Sequence, residues 1–445
     1  MITARQTAFS ALKKVQKSHS YSNLAWNSAL ERAGLSAQDR AFAARLFYGV
    51  LERQITLDAI LQPALSQPLE ALSQEMLIVL RLGVYQLYFM ETEPFAAVNE
   101  TVNLAKQVGQ TRGAGLVNAV LRRLLREGKP FILPDQAKEP NRYLAVAYSC
   151  PEWLVDQLVG DYGLDWTRAF LQRQLEQPPV ALRVNTLRCQ VVELCQMLLQ
   201  QGFEVAAHPL VEGCILAPHG GNLADTDAFR RGLFHLQDVS SQLCAAAAAA
   251  YQPPSVLDAC AAPGGKSFTI AQMTKGRVPI TSCDLHPKRV GLIASGAERL
   301  GLQSIRPQAA DASRFQPSLG KYGLVLCDVP CSGFGVMRRK PEIKYKPPEQ
   351  LKNLPKVQQR ILDCCSGYVA IGGVLLYSTC TCSKRENEDV TLRFLQEHSG
   401  FEPCALPNQL ADLMPHAAST HQVTFSPADG LQADGFYLCA MKRRD

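Results

Sequence analysis

From about residue 236 onward, short and almost continuously apolar runs alternate with helix-like stretches, and no other feature restricts the fold of this chain as strongly. The runs are "SVLDACAAP", "VPITSCDLH", "YGLVLCDVP", "GGVLLYSTC" and "GFYLCAMKR", and the clearest intervening stretches are 286–300 and 348–371. A strand that is apolar on both sides must be covered on both faces. Alternation of such strands with helices therefore predicts an α/β fold built on a parallel sheet, over residues 236–445.

The front of the chain reads differently. "AFSALKKVQ", "SQEMLIVLRLGVYQLYFM" and "AAVNETVNLAKQV" space their apolar residues at helical period, and "GLVNAVLRRLLREG" ends on a cationic turn and a glycine. Residues 1–140 are expected to form an all-helical domain. They hold sixteen Lys and Arg against twelve Asp and Glu, so most of the chain's +6 net charge sits here. That balance allows either a solvated helical surface or a docking module for RNA or protein. "GKPFILPDQAKEPNRY", 128–143, reads as a linker. Residues 144–235 read as a small α+β insert, with a strand in "PPVALRVNT", a helix in "VVELCQMLLQQG" and two strands in "FEVAAHPLVEGCILAP". The alanine run 244–250 is a packed helix, since alanine is the best helix former.

Fifteen cysteines in a chain of 445 residues do not make a small disulfide scaffold. With no secretory signal in view, reduced thiols and a cytoplasmic location are expected. No apolar run approaches the roughly 20 residues a bilayer span needs.

"VLDACAAPGGKS" superficially resembles a phosphate-gripping loop, because it leaves a strand and ends in Gly265-Lys266-Ser267. A P-loop needs a glycine where Cys260 stands, and Pro263 lacks the N–H that such a wrap uses. A dinucleotide fingerprint is also absent. In an open α/β sheet the ligand lies beyond the carboxyl ends of the strands. There the chain offers Asp258, the Gly264-Gly265 pair, Asp284 in "ITSCDLHPKRV" and Asp311 in "QAADASRF". An acidic residue about 20 residues past the glycines is placed to hold a ribose diol, and Asp311 is in reach of an adenine amino group. The set suits an adenosine without a phosphate chain, and S-adenosylmethionine has that chemistry.

Two further strand ends carry cysteines. "LVLCDVPCSGFG" supplies Asp328 and Cys331; "VLLYSTCTCSKREN" supplies Cys380 and Cys382. One cysteine at a strand end is usually core. Two beside an adenosine pocket suit covalent catalysis at a pyrimidine: a thiolate adds to C6, C5 becomes nucleophilic enough to take a methyl group, and a second cysteine assists release. The addition needs N3 protonated or hydrogen-bonded, with Asp328 as the candidate. Zinc is disfavoured, because the spaced C-x₂-C pairs of structural sites are missing.

"DACAAPGGKS", "DVPCSGFG", "YSTCT" and "PADGLQADGFYLCAMKR" resemble the RNA cytosine-C5 methyltransferases of the Fmu/Sun/RsmB and NOL/NSUN group. The helical front end is similar to the antitermination factor NusB, and the two together resemble the bacterial 16S ribosomal RNA methyltransferases of the RsmB family, over essentially the whole chain. The resemblance implies a NusB-like domain at 1–140, an RRM-like subdomain at 144–235 and a Rossmann-like, S-adenosylmethionine-dependent methyltransferase domain at 236–445. It also implies a cofactor loop of Cys260, Ala261, Ala262, Pro263, Gly264, Gly265 and Lys266, with Lys266 close to the target base. Asp284 would then hold the ribose, Asp311 the adenine side, and Asp328 both cofactor and base. In this group the cysteine after "ST", Cys380, is the nucleophile and Cys331 the release residue; in DNA cytosine methyltransferases the Pro-Cys cysteine attacks instead. Cys382 is an addition to the pattern that either packs or substitutes weakly for Cys380. The implied partner is 16S ribosomal RNA, bound by a monomer, with transfer RNA methylation or a non-catalytic assembly role as alternatives.

"RRKPEIKYKPPEQLKNLPKVQQR", 338–360, holds eight Lys and Arg against two Glu. This stretch suits backbone phosphates, with Tyr345 expected to stack on a base. A base that must enter a pocket leaves its stack, so a loop or opened RNA strand is the expected substrate.

Overall fold

The computed structural model describes residues 2–18, 21–128, 133–411, 413 and 421–445. Part of the linker reading, 129–132, lies outside the described residues. The chain divides into two compact units, Met1–Glu176 with Met337–Lys346, and Gln177–Val336 with Pro347–Asp445.

The described part of the first unit is helical. Its six long N-terminal helices run Ala4–Ser18, Ser22–Leu30, Ala37–Leu61, Gln74–Phe89, Pro94–Gln107 and Ala114–Glu127. Ser36 and Ser73 cap two of them by accepting the backbone N–H three residues on. The last ends, as its sequence predicts, on Gly128 at φ 74°. Leu12, Leu46, Phe47, Leu57 and Leu121 are fully buried in one core, and Arg81 makes a two-point ion pair with Asp58, both bonds 2.7 Å.

The first residues of the expected insert are helical. Helices Pro140–Ala147, Glu152–Tyr162 and Leu164–Gln174 belong to the helical unit, and strands begin only at Val180. The physical reason is in the pattern: Leu144, Leu154, Leu158 and Phe170 recur at helical spacing and are buried.

The basic stretch is also divided. Residues 337–346 are part of the helical unit, where Lys344 is buried and donates to the Glu52 carbonyl at 2.7 Å. Tyr345 donates its hydroxyl to the Leu51 carbonyl at 2.8 Å. Tyr345 is half-buried with its hydroxyl held internally, which ties its ring to the helical unit instead of leaving it free for the expected base stacking. The apolar stems and ring of "EIKYK" make it a better core strap than its charge count suggests.

In the second unit a small antiparallel sheet comes first. It consists of β1 Val180–Val184, β2 Ala206–Ala207, β3 Cys214–Ala217 and β4 Phe234–Leu236, in the order β2-β3-β1-β4, with the helix Val191–Gln200 between β1 and β2. It is tied to the large sheet domain: Asn185 donates to the Leu300 carbonyl at 2.9 Å, and Arg299 lies over the Phe229 ring.

The large sheet comprises β5 Val256–Asp258, β6 Ile280–Asp284, β7 Ile305–Ala309, β8 Tyr322–Asp328, β9 Val369–Thr379, β10 Phe401–Pro403, β11 Gln422–Phe425 and β12 Phe436–Arg443. Its order is β10-β12-β9-β8-β5-β6-β7, with β11 paired to β12. Strands β5 to β9 are mutually parallel, as expected. β12 runs antiparallel to β9, which the apolar run alone does not reveal. Two apolar layers cover the sheet, one around Val239, Ile270 and Ile293, the other around Leu362, Val390 and Phe394. This is the doubly wound arrangement, and its chain reversal beside β5 marks where a ligand crevice opens.

Candidate active site

Because β5 to β9 are parallel, Asp258, Asp284, Asp328 and Thr379 all end strands on the same edge of the sheet. The loop Cys260–Lys266 leaves β5 there and runs into the helix Gly265–Met273. Gly264 sits at φ 111°, and a Cβ at that position would stand 2.3 Å from the Phe268 ring. Only glycine permits this turn. Arg289, in the helix after β6, clamps the loop by donating to the Ala262 carbonyl at 2.8 Å while pairing with Asp284 at 3.2 Å.

Asp284 is buried at the end of β6 and also accepts the His286 N–H at 3.0 Å. Asp311, two residues past β7, accepts the Ser313 hydroxyl and N–H. Those two bonds hold its carboxyl below the usual range. Beside it Leu257, Ala259, Cys283, Ala310 and Tyr368 close around a void of only about 10 Å³, so this side of the edge is packed core. Asp258 is fully buried; burial pushes its carboxyl up to about 7, although Ser267 donates to it at 2.7 Å. Its second oxygen has no protein partner among the described residues. An edge furnished with the Asp284, Asp311 and Asp328 carboxylates repels phosphates and fits a cationic adenosine. S-adenosylmethionine is such a molecule, and the residues present fit it.

Lys266 points to the end of β8, where its Nζ lies 2.7 Å from Asp328 Oδ2. Burial, the largest single effect, works against its charge, but Asp328 together with Cys244 and Asp258 outweighs it and raises the lysine above its ordinary value. Asp328 Oδ1 accepts the Ser378 hydroxyl at 2.9 Å. Ser378 sits on β9 two residues before Cys380, so this bond joins the two cysteine segments.

The sulfurs of Cys331 and Cys380 are 3.2 Å apart. Their proximity follows from topology: β8 and β9 are adjacent and parallel, with Asp328 paired to Ser378. Gly335 donates its N–H to the Cys380 carbonyl at 3.0 Å. A Cβ on Gly335 would stand 1.9 Å from the Gly435 carbonyl oxygen, so the "CSGFG" and "DGFY" turns meet backbone to backbone. Contact with Cys380, then burial, raises the Cys331 thiol well above its ordinary range.

The structure thus brings Lys266, Asp328, Cys331 and Cys380 together, and spaces Asp284 and Asp311 along the same edge. Cys382 is fully buried, donating toward the Phe425 carbonyl at 3.9 Å, so of its two expected fates it packs. Arg289 and Ser378 escaped the sequence reading. Each sits within five residues of a predicted site residue, which is the only signal they carry.

A protein of Bacillus subtilis (strain 168) named "Probable ribosomal RNA small subunit methyltransferase B" is 37% identical to this chain over 99% of both chains. The chain belongs to the ribosomal RNA small subunit methyltransferase B family. A second family member, from Synechocystis sp. (strain ATCC 27184 / PCC 6803 / Kazusa), is 32% identical over the full length of both. Residues 248–442 match the family described as 16S rRNA methyltransferase RsmB/F, residues 2–126 the NusB family, and residues 150–221 the RsmF/B-like ferredoxin-like domain. Among solved structures, that of the protein PH0851 has a TM-score of 0.80 at 21% identity, covering 99% of this chain and 98% of its own, and shares the fold. The chain thus carries, in order, a NusB domain, a ferredoxin-like insert and a methyltransferase domain. Among the described residues no helix is long and apolar enough to cross a membrane.

Proposed function

We propose that this protein methylates C5 of a cytosine in 16S ribosomal RNA, through a transient bond between Cys380 and C6 of the base. The observation that carries the reading is the pair of thiols 3.2 Å apart, beside a half-buried Lys266–Asp328 pair, at the ligand edge of the sheet. A binding protein has no use for that arrangement.

The cofactor is S-adenosylmethionine, held by the Cys260–Lys266 loop, Asp284, Asp311 and Asp328; when bound it supplies an electrophilic methyl group. The chain's own residues do the rest. Cys380 adds to C6 as a thiolate, and the displaced electron pair spreads toward N3 and O2. A carboxylate can only accept hydrogen bonds, so the proton offered to that side of the ring is carried by Lys266, with Asp328 fixing its position. C5 gains the electron density it lacks in aromatic cytosine. Water in the open site accepts the proton on methylated C5, the C5–H pair re-forms the C5=C6 double bond, and the Cys380–C6 bond breaks with its electron pair returning to sulfur. The Cys331 S–H, within reach of that sulfur, stabilises the departing thiolate.

The substrate is a single-stranded or opened segment of the RNA, free or in an assembling particle, because the base has to enter a pocket. The protein acts as a cytoplasmic monomer. The test separates the two cysteines. Cys380→Ala should abolish methyl transfer from labelled cofactor, and Cys331→Ala should accumulate a denaturant-resistant protein–RNA adduct. An adduct in Cys380→Ala and none in Cys331→Ala reverses the roles.

A further inference from the structure

We propose that the adjacent residues Glu386 and Asn387 are positioning residues for the sulfur pair: Asn387 spans the two neighbours of Cys380, while Glu386, working with Gln358, spans the two neighbours of Cys331. This rests on the reading of those sulfurs as nucleophile and release group.

The geometry is local and complete. Asn387 Oδ1 accepts the Thr379 hydroxyl at 2.6 Å and its Nδ2 donates to the Thr381 carbonyl at 2.9 Å. One amide therefore holds the residues immediately before and after Cys380. Glu386 Oε2 accepts the Ser332 N–H at 2.9 Å, just after Cys331. Gln358 Nε2 donates to the Pro330 carbonyl at 3.0 Å, just before Cys331, and to Glu386 Oε2 at 2.8 Å. Both residues flanking Cys331 are thus held by side chains that also hold each other. The Ser332 and Thr381 hydroxyls then join the two loops at 2.8 Å.

Asn387 and Gln358 are fully buried and Glu386 is 4% exposed, so water does not compete for these bonds. The hub is itself anchored, because the Tyr377 hydroxyl on β9 donates to the Glu386 carbonyl. Since Glu386 and Asn387 are chain neighbours, fixing one fixes the other, and the spacing of the two sulfurs follows.

A glutamine at 386 could accept the same Ser332 N–H without the cost of a buried charge. The carboxylate has a second effect. The groups acting on the Cys331 thiol are Cys380, Glu386 and Asp328, with Tyr377 packed nearby. Contact with Cys380 and burial raise that thiol first, and the two carboxylates add to it. Glu386 thereby favours the protonated form of Cys331, the form a release group needs.

The experiment uses the full chain and a ruler that needs neither RNA nor cofactor. The Cys331–Cys380 disulfide is formed with diamide and its rate read by peptide mass spectrometry, alongside kcat and KM for methyl transfer and the pH profile of Cys331 alkylation. Asn387→Ala should slow disulfide formation at least about tenfold and lower kcat by about a hundredfold with little change in KM, as expected for misplaced reacting groups. Glu386→Gln should move Cys331 alkylation about one pH unit lower and, unlike Asn387→Ala, should not slow disulfide formation, because only the charge is lost. Glu386→Ala should show both defects. If Asn387→Ala fails to fold, Thr379→Val removes one of its two bonds and should show a smaller slowing in the same direction. Wild-type disulfide rates and kcat in these variants, or a kcat loss no larger than the loss of folded protein, overturn the proposal. A normal ruler response with no cytosine methylation in any form would instead refute the proposed function and leave the positioning role standing.

Discussion

Replacing Lys266 by methionine should cost stability and activity by separable amounts. Its ammonium and the Asp328 carboxylate are 2.7 Å apart, with side chains 11% and 29% exposed. At that spacing the attraction is about 6 kcal/mol for an effective dielectric of ~20, most of it offset by taking the two charges out of water. Removing one member of a fully buried pair costs about 3–5 kcal/mol. Asp328 keeps the Ser378 hydroxyl and is partly wet, so about 2–3 kcal/mol is expected here. Methyl transfer should fall by roughly 10²–10³, the usual loss when one preorganised donor to a developing charge is removed. The double variant Lys266→Met/Asp328→Asn removes both charges and should recover most of the stability while staying inactive. Urea unfolding and transfer of labelled methyl to ribosomal RNA read the two effects. A single variant within about 0.5 kcal/mol of the parent, or a double variant no more stable than the single, refutes the buried coupling. Methyl transfer within tenfold of the parent removes Lys266 from the base.

Two further expectations are independent of this pair. Asp284→Ala should weaken S-adenosylmethionine binding by roughly 10–100-fold, the worth of a charge-assisted bond, while RNA binding stays nearly constant; unchanged cofactor affinity by calorimetry removes Asp284 from the ribose. Asp258 supplies a pH test, because burial pushes its carboxyl up to about 7. The folded state then holds that proton more tightly than the unfolded chain, so its contribution to stability is full below about pH 4 and is lost as pH rises through about 7. Asp258→Asn should flatten that decline in the urea midpoint, and an unchanged slope would show that Asp258 is ionised in the fold.

The parts legible in the sequence were those with a strong local signal. β5, β6, β8, β9 and β12 are continuous apolar runs, and each was readable as a strand. β7, "IRPQA", has a single buried residue, so an edge strand left no apolar run to see. β12 was legible as a strand but not as antiparallel, because direction is set by the connection and not by composition. The loop after β5 was legible as something other than a triphosphate wrap, because Cys260 and Pro263 exclude one. That Cys331 and Cys380 meet needed the β8–β9 pairing. Tyr345 and Lys344 misled because charge is counted per residue, whereas burial is decided by the surroundings of each stem and ring. Glu386 and Asn387, inside "SKREN", carry no such signal: Glu386 acts on Ser332 and Gln358 far back along the chain, and only the folded turn brings Asn387 onto Thr379 and Thr381.

The covalent step is reached most directly with an RNA substrate carrying 5-fluorocytosine, since fluorine on C5 cannot leave as a proton does and the sulfur–C6 bond persists. Incubated with S-adenosylmethionine and the full chain, this RNA should yield a denaturant-resistant complex whose cross-linked peptide contains Cys380. A complete absence of complex, under conditions where the unmodified RNA is methylated, would contradict the covalent account.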